Sequence, residues 1–256
     1  MSNKISVFPV VDASDAARAE LRIPCACLFY TAVGGGGLKR APAPSMPRGS
    51  LLGLYGSIAD ADPERLAADI ISERSRRAFG GVLLDLPPQS GELPALETLS
   101  AALSRAGITH FVPLSMHAAA PGAKLLVESA VSGGSLEELL RSLADRFGPR
   151  RLCLDTVRAC SDFIMPSPAA EGRELSAAEL REIMERHSPD PYFSPELCAK
   201  YFTYFDGQEH HYVIFDDETT AVKKLSAAAA AGFFCAFLLY SDWGARIPAM
   251  INGARD

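Results

Sequence analysis

The 256-residue chain lacks any long hydrophobic run. Its longest, Phe233 to Tyr240, is too short to cross a bilayer. It also lacks a basic tract. The 25 Lys and Arg stand against 31 Asp and Glu, a formal net charge of −6, which argues against nucleic acid or an anionic membrane surface as partner. No C-x-x-C spacing occurs among Cys25, Cys27, Cys153, Cys160, Cys198 and Cys235, so these read as buried free thiols rather than zinc ligands or disulfides. Cys25 and Cys27 are two residues apart in a strand-like segment and are predicted to share one face. The four glycines Gly34 to Gly37 are followed by neither G-K-[ST] nor a helical pattern, which excludes a phosphate loop and predicts a loop rimming a cleft. No G-x-G-x-x-G follows the first strand, against a dinucleotide-binding fold. Met1 to Lys4 lead straight into a strand-like segment with no signal-peptide h-region, and the expected location is cytoplasmic. No cofactor and no metal site is expected. His210 and His211 look like a ligand pair, but neighbours on a strand point to opposite faces.

What is present alternates. Strands are predicted at Ile5–Val11, Ile23–Val33, Leu51–Ile58, Phe79–Pro87, Thr109–Met116, Lys124–Val131, Arg151–Val157 and Phe233–Tyr240. Between them fall helical patterns at Asp15–Leu21, Pro63–Ala78, Ala95–Ala106, Leu136–Arg146, Ser176–His187 and Thr219–Ala231. Asp60 or Asp62 caps the second helix, Ser135 the fourth, and Ser176 with Glu179 forms a capping box on the fifth. Lys39 to Arg48, with its prolines, reads as loop. Cys198–Phe205 and Glu209–Phe215 flank Asp206-Gly207, a hairpin signal. About eight strand–helix units over residues 1–256, with no linker dividing them, predict an α/β fold, a (β/α)8 TIM barrel in one domain with a β-hairpin insertion in its C-terminal half. The strand at Phe79–Pro87 carries a carboxylate, Asp85, near its C-terminal end, where barrels place their chemistry.

That strand resembles the strand-four signature of glycoside hydrolase family 18, D-G-x-D-x-D-x-E, relaxed to G-V-N-I-D-F-E in spore-cortex and germination members. Gly81-Val82 match its Gly-Val and Asp85 its last Asp. Gly80 and Leu83 stand at the earlier acidic positions, and Pro87 at the catalytic Glu. The resemblance continues to the C-terminus. The loop segment K-L-x-x-G-x-x-x-Y-G-Y-D-W-x-L-P is occupied by Arg151–Asp155 and Ser161–Pro166. The segment P-x-F-x-Y-x-D-x-x-G-x-x-H-x-V-W-F-E-D is matched by Lys200–Asp206 and His211–Asp217, and a late helical Lys-Leu by Lys224-Leu225. Together these cover roughly Leu51 to the end.

The departures fall where that family does its chemistry. The strand-six motif M-x-Y-D falls on Glu128-Ser129-Ala130-Val131, so its Tyr and Asp are absent. The floor Trp of the last strand falls near Leu239, with Trp243 four residues on, and Cys160 and Ser161 stand in part of the Tyr-Gly-Tyr segment. The family's hydrolysis needs a Glu to protonate the glycosidic oxygen while the sugar's acetamido oxygen attacks, supported by an Asp and a Tyr. The resemblance therefore implies a spore- or cell-wall-associated barrel with a degenerate site, without turnover, binding an N-acetylglucosamine-containing glycan of peptidoglycan or chitin type. Asp85, Tyr55, Glu128, Tyr240 and Trp243 are the candidate binding residues. Two alternatives stand beside it: a glycosidase with a relocated acid, Glu92 or Glu128, or a module that binds a protein partner. Asp155 and Asp242 also end strands, and Tyr30 is a further stacking candidate.

Overall fold

The structure, a computed structural model, describes residues 5–16, 22–34, 37–87, 89–166 and 172–254. In chain order it runs β1 (Ser6–Asp12), α1 (Ala13–Ala16), β2 (Ala26–Ala32), β3 (Leu38–Arg40), β4 (Leu51–Tyr55), α2 (Pro63–Arg77), β5 (Gly81–Asp85), α3 (Leu93–Arg105), β6 (His110–Pro113), β7 (Lys124–Glu128) and α4 (Leu136–Phe147). It continues with β8 (Leu152–Thr156), β9 (Cys160–Met165), β10 (Arg173–Glu174), α5 (Ala177–His187), β11 (Tyr192–Ser194), β12 (Ala199–Asp206), β13 (Glu209–Phe215), α6 (Glu218–Ala230), β14 (Cys235–Leu239), α7 (Tyr240–Trp243) and α8 (Ile247–Gly253).

Eight parallel strands close on themselves in the order β1-β2-β4-β5-β6-β7-β8-β14, with β14 returning to β1. This is the expected (β/α)8 barrel. Alternation along each strand divides the side chains. Val10, Leu51, Leu83, Phe111, Cys153 and Phe237 fill the interior, while Leu52, Leu84, Val112, Leu154 and Leu238 face outward into the layer shared with the helices. Gly81 begins β5 because its neighbour strand lies close: a Cβ there would meet the Thr109 carbonyl oxygen at 2.7 Å.

The helix starts follow the sequence. Asp62 accepts hydrogen bonds from the Glu64 and Arg65 amides at 3.1 Å, Ser135 caps α4, and Ser176 with Glu179 completes the capping box of α5. Ala78 ends α2 in the left-handed region, φ 55°. Cys25 and Cys27 share a face, their sulfurs 3.7 Å apart, and all six cysteines are free and buried. The helix expected at Asp15–Leu21 begins earlier, at Ala13, and residues 17–21 lie outside the described residues.

Two corrections concern strands. Lys39 and Arg40, expected in a loop, belong to β3, which pairs antiparallel with Tyr30–Ala32 of β2. The pairing of β1 with β2 stops at Leu28, so the backbone beyond it takes β3 as a partner. The strands expected to reach Ile58, Met116, Val131 and Tyr240 end at Tyr55, Pro113, Glu128 and Leu239. Apolar side chains continue past the last ladder bond, as at Ile58, which is buried in the outer core.

The hairpin β12–β13 is the centre of a second, antiparallel sheet, β10-β9-β13-β12-β11, inserted between β8 and α6. α5 covers one face, packing Leu180, Ile183 and Met184 on Cys160, Phe202, Val213 and Phe215. The sheet stands at the C-terminal end of β8, as expected of the insertion. Its strands do not line the outer cleft, contrary to expectation: Val131 and Ala159 pack against the cluster of Leu197, Ala199 and Ile214.

Candidate functional site

Period-two alternation carries interior positions to the C-terminal rim. Two residues after Leu83 comes Asp85, two after Leu126 comes Glu128, and two after Cys153 comes Asp155. Register sets Glu128 beside Asp155 and Tyr55 beside Asp85. From α7, just past β14, Asp242 joins them, its carboxylate accepting the Arg158 backbone N–H. The mouth of the barrel is thus acidic, built from four elements.

Two cavities open there. The outer cleft, about 750 Å³, runs from Gly56, Asp85 and Pro87 across Pro113 and Ser115 to Glu128, Val131 and Leu143, a volume suited to a small-molecule or oligosaccharide ligand. The inner one, about 190 Å³, lies among Asp85, Asp155, Thr156 and Asp242, walled by Leu28, Leu126, Phe237 and Leu239. Asp85, Leu126 and Asp155 line both.

Asp85, Asp155 and Asp242 do not titrate as free acids. Burial, joined by the negative charges of Asp85, Glu128 and Asp242, pushes Asp155 up to about 7. Asp85 is raised by burial in the mouth, although its side chain still meets water, and Asp242 is raised by burial against a smaller opposing effect of Arg158. The charges acting on Asp155 are all of one sign.

The sequence candidates divide. Asp85, Glu128 and Tyr55 come together at the mouth, with Tyr55 40% exposed. Glu92 is 1% exposed: its Oε1 accepts the Ser57 hydroxyl at 2.6 Å and its Oε2 the Ile58 amide at 2.7 Å. It ties the turn after β4 to the turn before α3. Tyr240 packs part-buried on the outer core. Trp243 is 1% exposed, with the Arg158 and Arg246 guanidiniums each 5.9 Å from its ring. Tyr30 is buried and donates to Glu73 at 2.8 Å. Leu239, at the floor position, is half-exposed and lines the inner cavity. His210 and His211 do face opposite ways: His211 Nδ1 donates to the buried Asp162 at 2.9 Å, while His210 stacks on Phe205.

Asp155 is the residue that sequence reasoning underweighted. Its position at a strand end was visible. That its register partner is Glu128, and that Asp85 and Asp242 face it, became visible only once the barrel closed.

The chain is thus a parallel eight-stranded barrel with an antiparallel sheet inserted after its seventh strand and an acidic mouth. No family profile matches the sequence, and no curated protein matches it. Solved structures do. A chitinase from Chromobacterium violaceum superposes with a TM-score of 0.67 at 13% identity, covering 97% of this chain and 98% of that one. The Bacillus cereus spore cortex-lytic enzyme SleL gives 0.65 at 11% identity, covering 99% and 75%. A mutant GH18 chitinase from Cycas revoluta in complex with (GlcNAc)4 gives 0.62 at 13% identity, covering 98% and 100%. The fold is that of the family 18 barrels.

Proposed function

We propose that this chain is a family-18-like barrel that binds an amino-sugar glycan at its mouth and does not hydrolyse it. One observation carries the reading: the position corresponding to the family's proton donor is Pro87, which lines the outer cleft and has no proton to give. Losing a positioned acid costs about 10²–10⁴-fold in rate. Ala130 and Val131 stand where the resemblance puts the supporting Tyr and Asp of strand six. Glu92 is committed to Ser57 and Ile58, so it is poorly placed to substitute. What supports ligand binding is the cleft, with Tyr55 and Asp85 beside it.

A second reading has one observation in its favour. Asp155, raised to about 7, has the protonation behaviour of a general acid, and Glu128 stands beside it as a carboxylate partner. Two assays separate the readings. Release from a chromogenic β-linked N-acetylglucosamine oligomer should stay at background, and calorimetry should show saturable binding of the N-acetylglucosamine tetramer, weakened about tenfold by Asp85→Ala. Turnover abolished by Glu128→Gln or Asp155→Asn would overturn the first reading. Neither turnover nor binding would leave a protein-binding barrel.

A further inference from the structure

The inserted sheet has two faces, and α5 covers one of them, the face that carries Cys160, Phe202, Val213 and Phe215. Alternation and register send Phe163, Met165, Tyr192, Tyr201, Phe205 and Tyr212 to the other. The barrel covers only the base of that second face, where Val131 and Ala159 pack on Leu197, Ala199 and Ile214. Beyond the base it is open: Tyr192 is 59% exposed, Phe205 66% and Met165 43%. No Asp, Glu, Lys or Arg of β9, β11, β12 or β13 lies on it, in a chain of which 22% is charged. The solvent-facing side of an antiparallel sheet is ordinarily polar. An uncharged face rich in Tyr, Phe and Met has the composition of an interface core instead.

We propose that a second copy of this chain docks here, the two inserted sheets packing face to face about a two-fold axis. Ring geometry, charge and area select that occupant. The rings are shingled on one another: Tyr192 and Tyr201 have centroids 5.9 Å apart, Tyr201 and Tyr212 5.3 Å, Phe205 and His210 4.7 Å. Side chains stand roughly perpendicular to a sheet, so rings packed in this way turn their edges and hydroxyls outward. A sugar stacks on a ring face, and most of these faces are already taken. Ring edges and phenol hydroxyls suit another set of rings and hydroxyls, and a hydroxyl both donates and accepts, so the surface complements itself. Each chain carries a formal charge of −6, so two copies repel, and a face without charges is where they can meet at least cost. A partner of opposite charge would be met by charged groups, which this face lacks. Four strands about 4.8 Å apart and about six residues long present roughly 400 Å² per copy in plan. The relief of the rings brings the accessible area buried by the pair towards the roughly 1,200 Å² at which specific interfaces begin. The proposal does not rest on the glycan-binding reading, because the strands of this face lie outside the outer cleft.

The test is sedimentation equilibrium on the whole chain over a range of concentrations. The protein should sediment as a dimer with a dissociation constant of roughly micromolar order, as a small interface allows. Tyr201→Lys and Phe205→Lys each set like charges against one another across the two-fold axis and should raise that constant at least about fiftyfold. Phe205 is 66% exposed, so its variant folds as a monomer and keeps the test open should Tyr201→Lys fail to melt cooperatively. Glu185→Lys, an exposed change on α5 at the opposite face, should leave the constant within about twofold. A chain that stays monomeric at every concentration would overturn the proposal. So would a dimer that survives both lysine variants, since it would use another surface. A monomer whose affinity for the N-acetylglucosamine tetramer falls in Phe205→Lys would give the face to the glycan instead.

Discussion

Two of the places where the chain gathers carboxylates treat them oppositely. At the joint between the inserted sheet and α6, Asp216 is 2% exposed, and everything around it is a donor. Its Oδ2 accepts Lys224 Nζ at 2.6 Å and the Ala159 amide at 2.8 Å, and its Oδ1 accepts the Thr220 hydroxyl at 2.8 Å. At the mouth, Asp155 is surrounded by Asp85, Glu128 and Asp242. The first arrangement satisfies a charge so that the fold can hold it. The second leaves charge unsatisfied at a cost to the fold, which is the mark of a place kept for something else.

The contrast can be broken at the joint first. Lys224→Met strands a buried carboxylate and should cost about 3–5 kcal/mol in urea unfolding. A cost below about 1 kcal/mol would mean that the joint is not what secures the insertion. Glu92→Ala, which leaves the buried Ile58 amide unpaired, should cost about 1–3 kcal/mol and leave glycan affinity within twofold. A selective loss of binding with stability intact would move Glu92 into the site.

The mouth should respond with the opposite sign. A carboxyl raised to about 7 when folded holds its proton more tightly folded than unfolded. Its contribution is therefore neutral below the ordinary carboxylate range, and the folded state loses stability as pH rises toward about 7. Asp155→Asn should abolish that decline, stabilising the protein by about 2 kcal/mol at pH 8 and by nothing measurable near pH 3; this allows for water in the cavity screening part of the roughly 1.4 kcal/mol expected per pKa unit. A destabilised Asp155→Asn at pH 8 would erase the contrast. The smallest effect lies outside both places: Ala78→Gly, relieving a left-handed alanine at the end of α2, should add about 0.5–1 kcal/mol.

The same contrast explains what could be read from the sequence. The segments that carried the resemblance, His211–Asp217 and Lys224-Leu225, are the residues of the joint and its hairpin. Their chemistry is local: Asp217 and Thr220 cap α6 three residues apart, and Asp216 and Lys224 lie eight apart. Such relations leave a fixed spacing in the chain. The barrel was legible for a similar reason, since strand period and helix caps are short-range. The mouth is assembled from Asp85, Glu128, Asp155 and Asp242, which no short-range rule connects. Their meeting follows from closure of the barrel and from register, and a one-residue slip of β8 would turn Asp155 out of the mouth. Strand limits were blurred because Ile58 and Tyr240 are apolar for packing, not pairing.

The Ala159 amide donates to the Asp216 carboxylate while the Asp216 amide donates to the Ala159 carbonyl at 2.8 Å. The chain leaves the barrel and re-enters it through one mutual clasp. To the eight strands, everything from Cys160 to Phe215 counts as a single tight turn. That stretch carries its own core beneath α5, separate from the interior of the barrel.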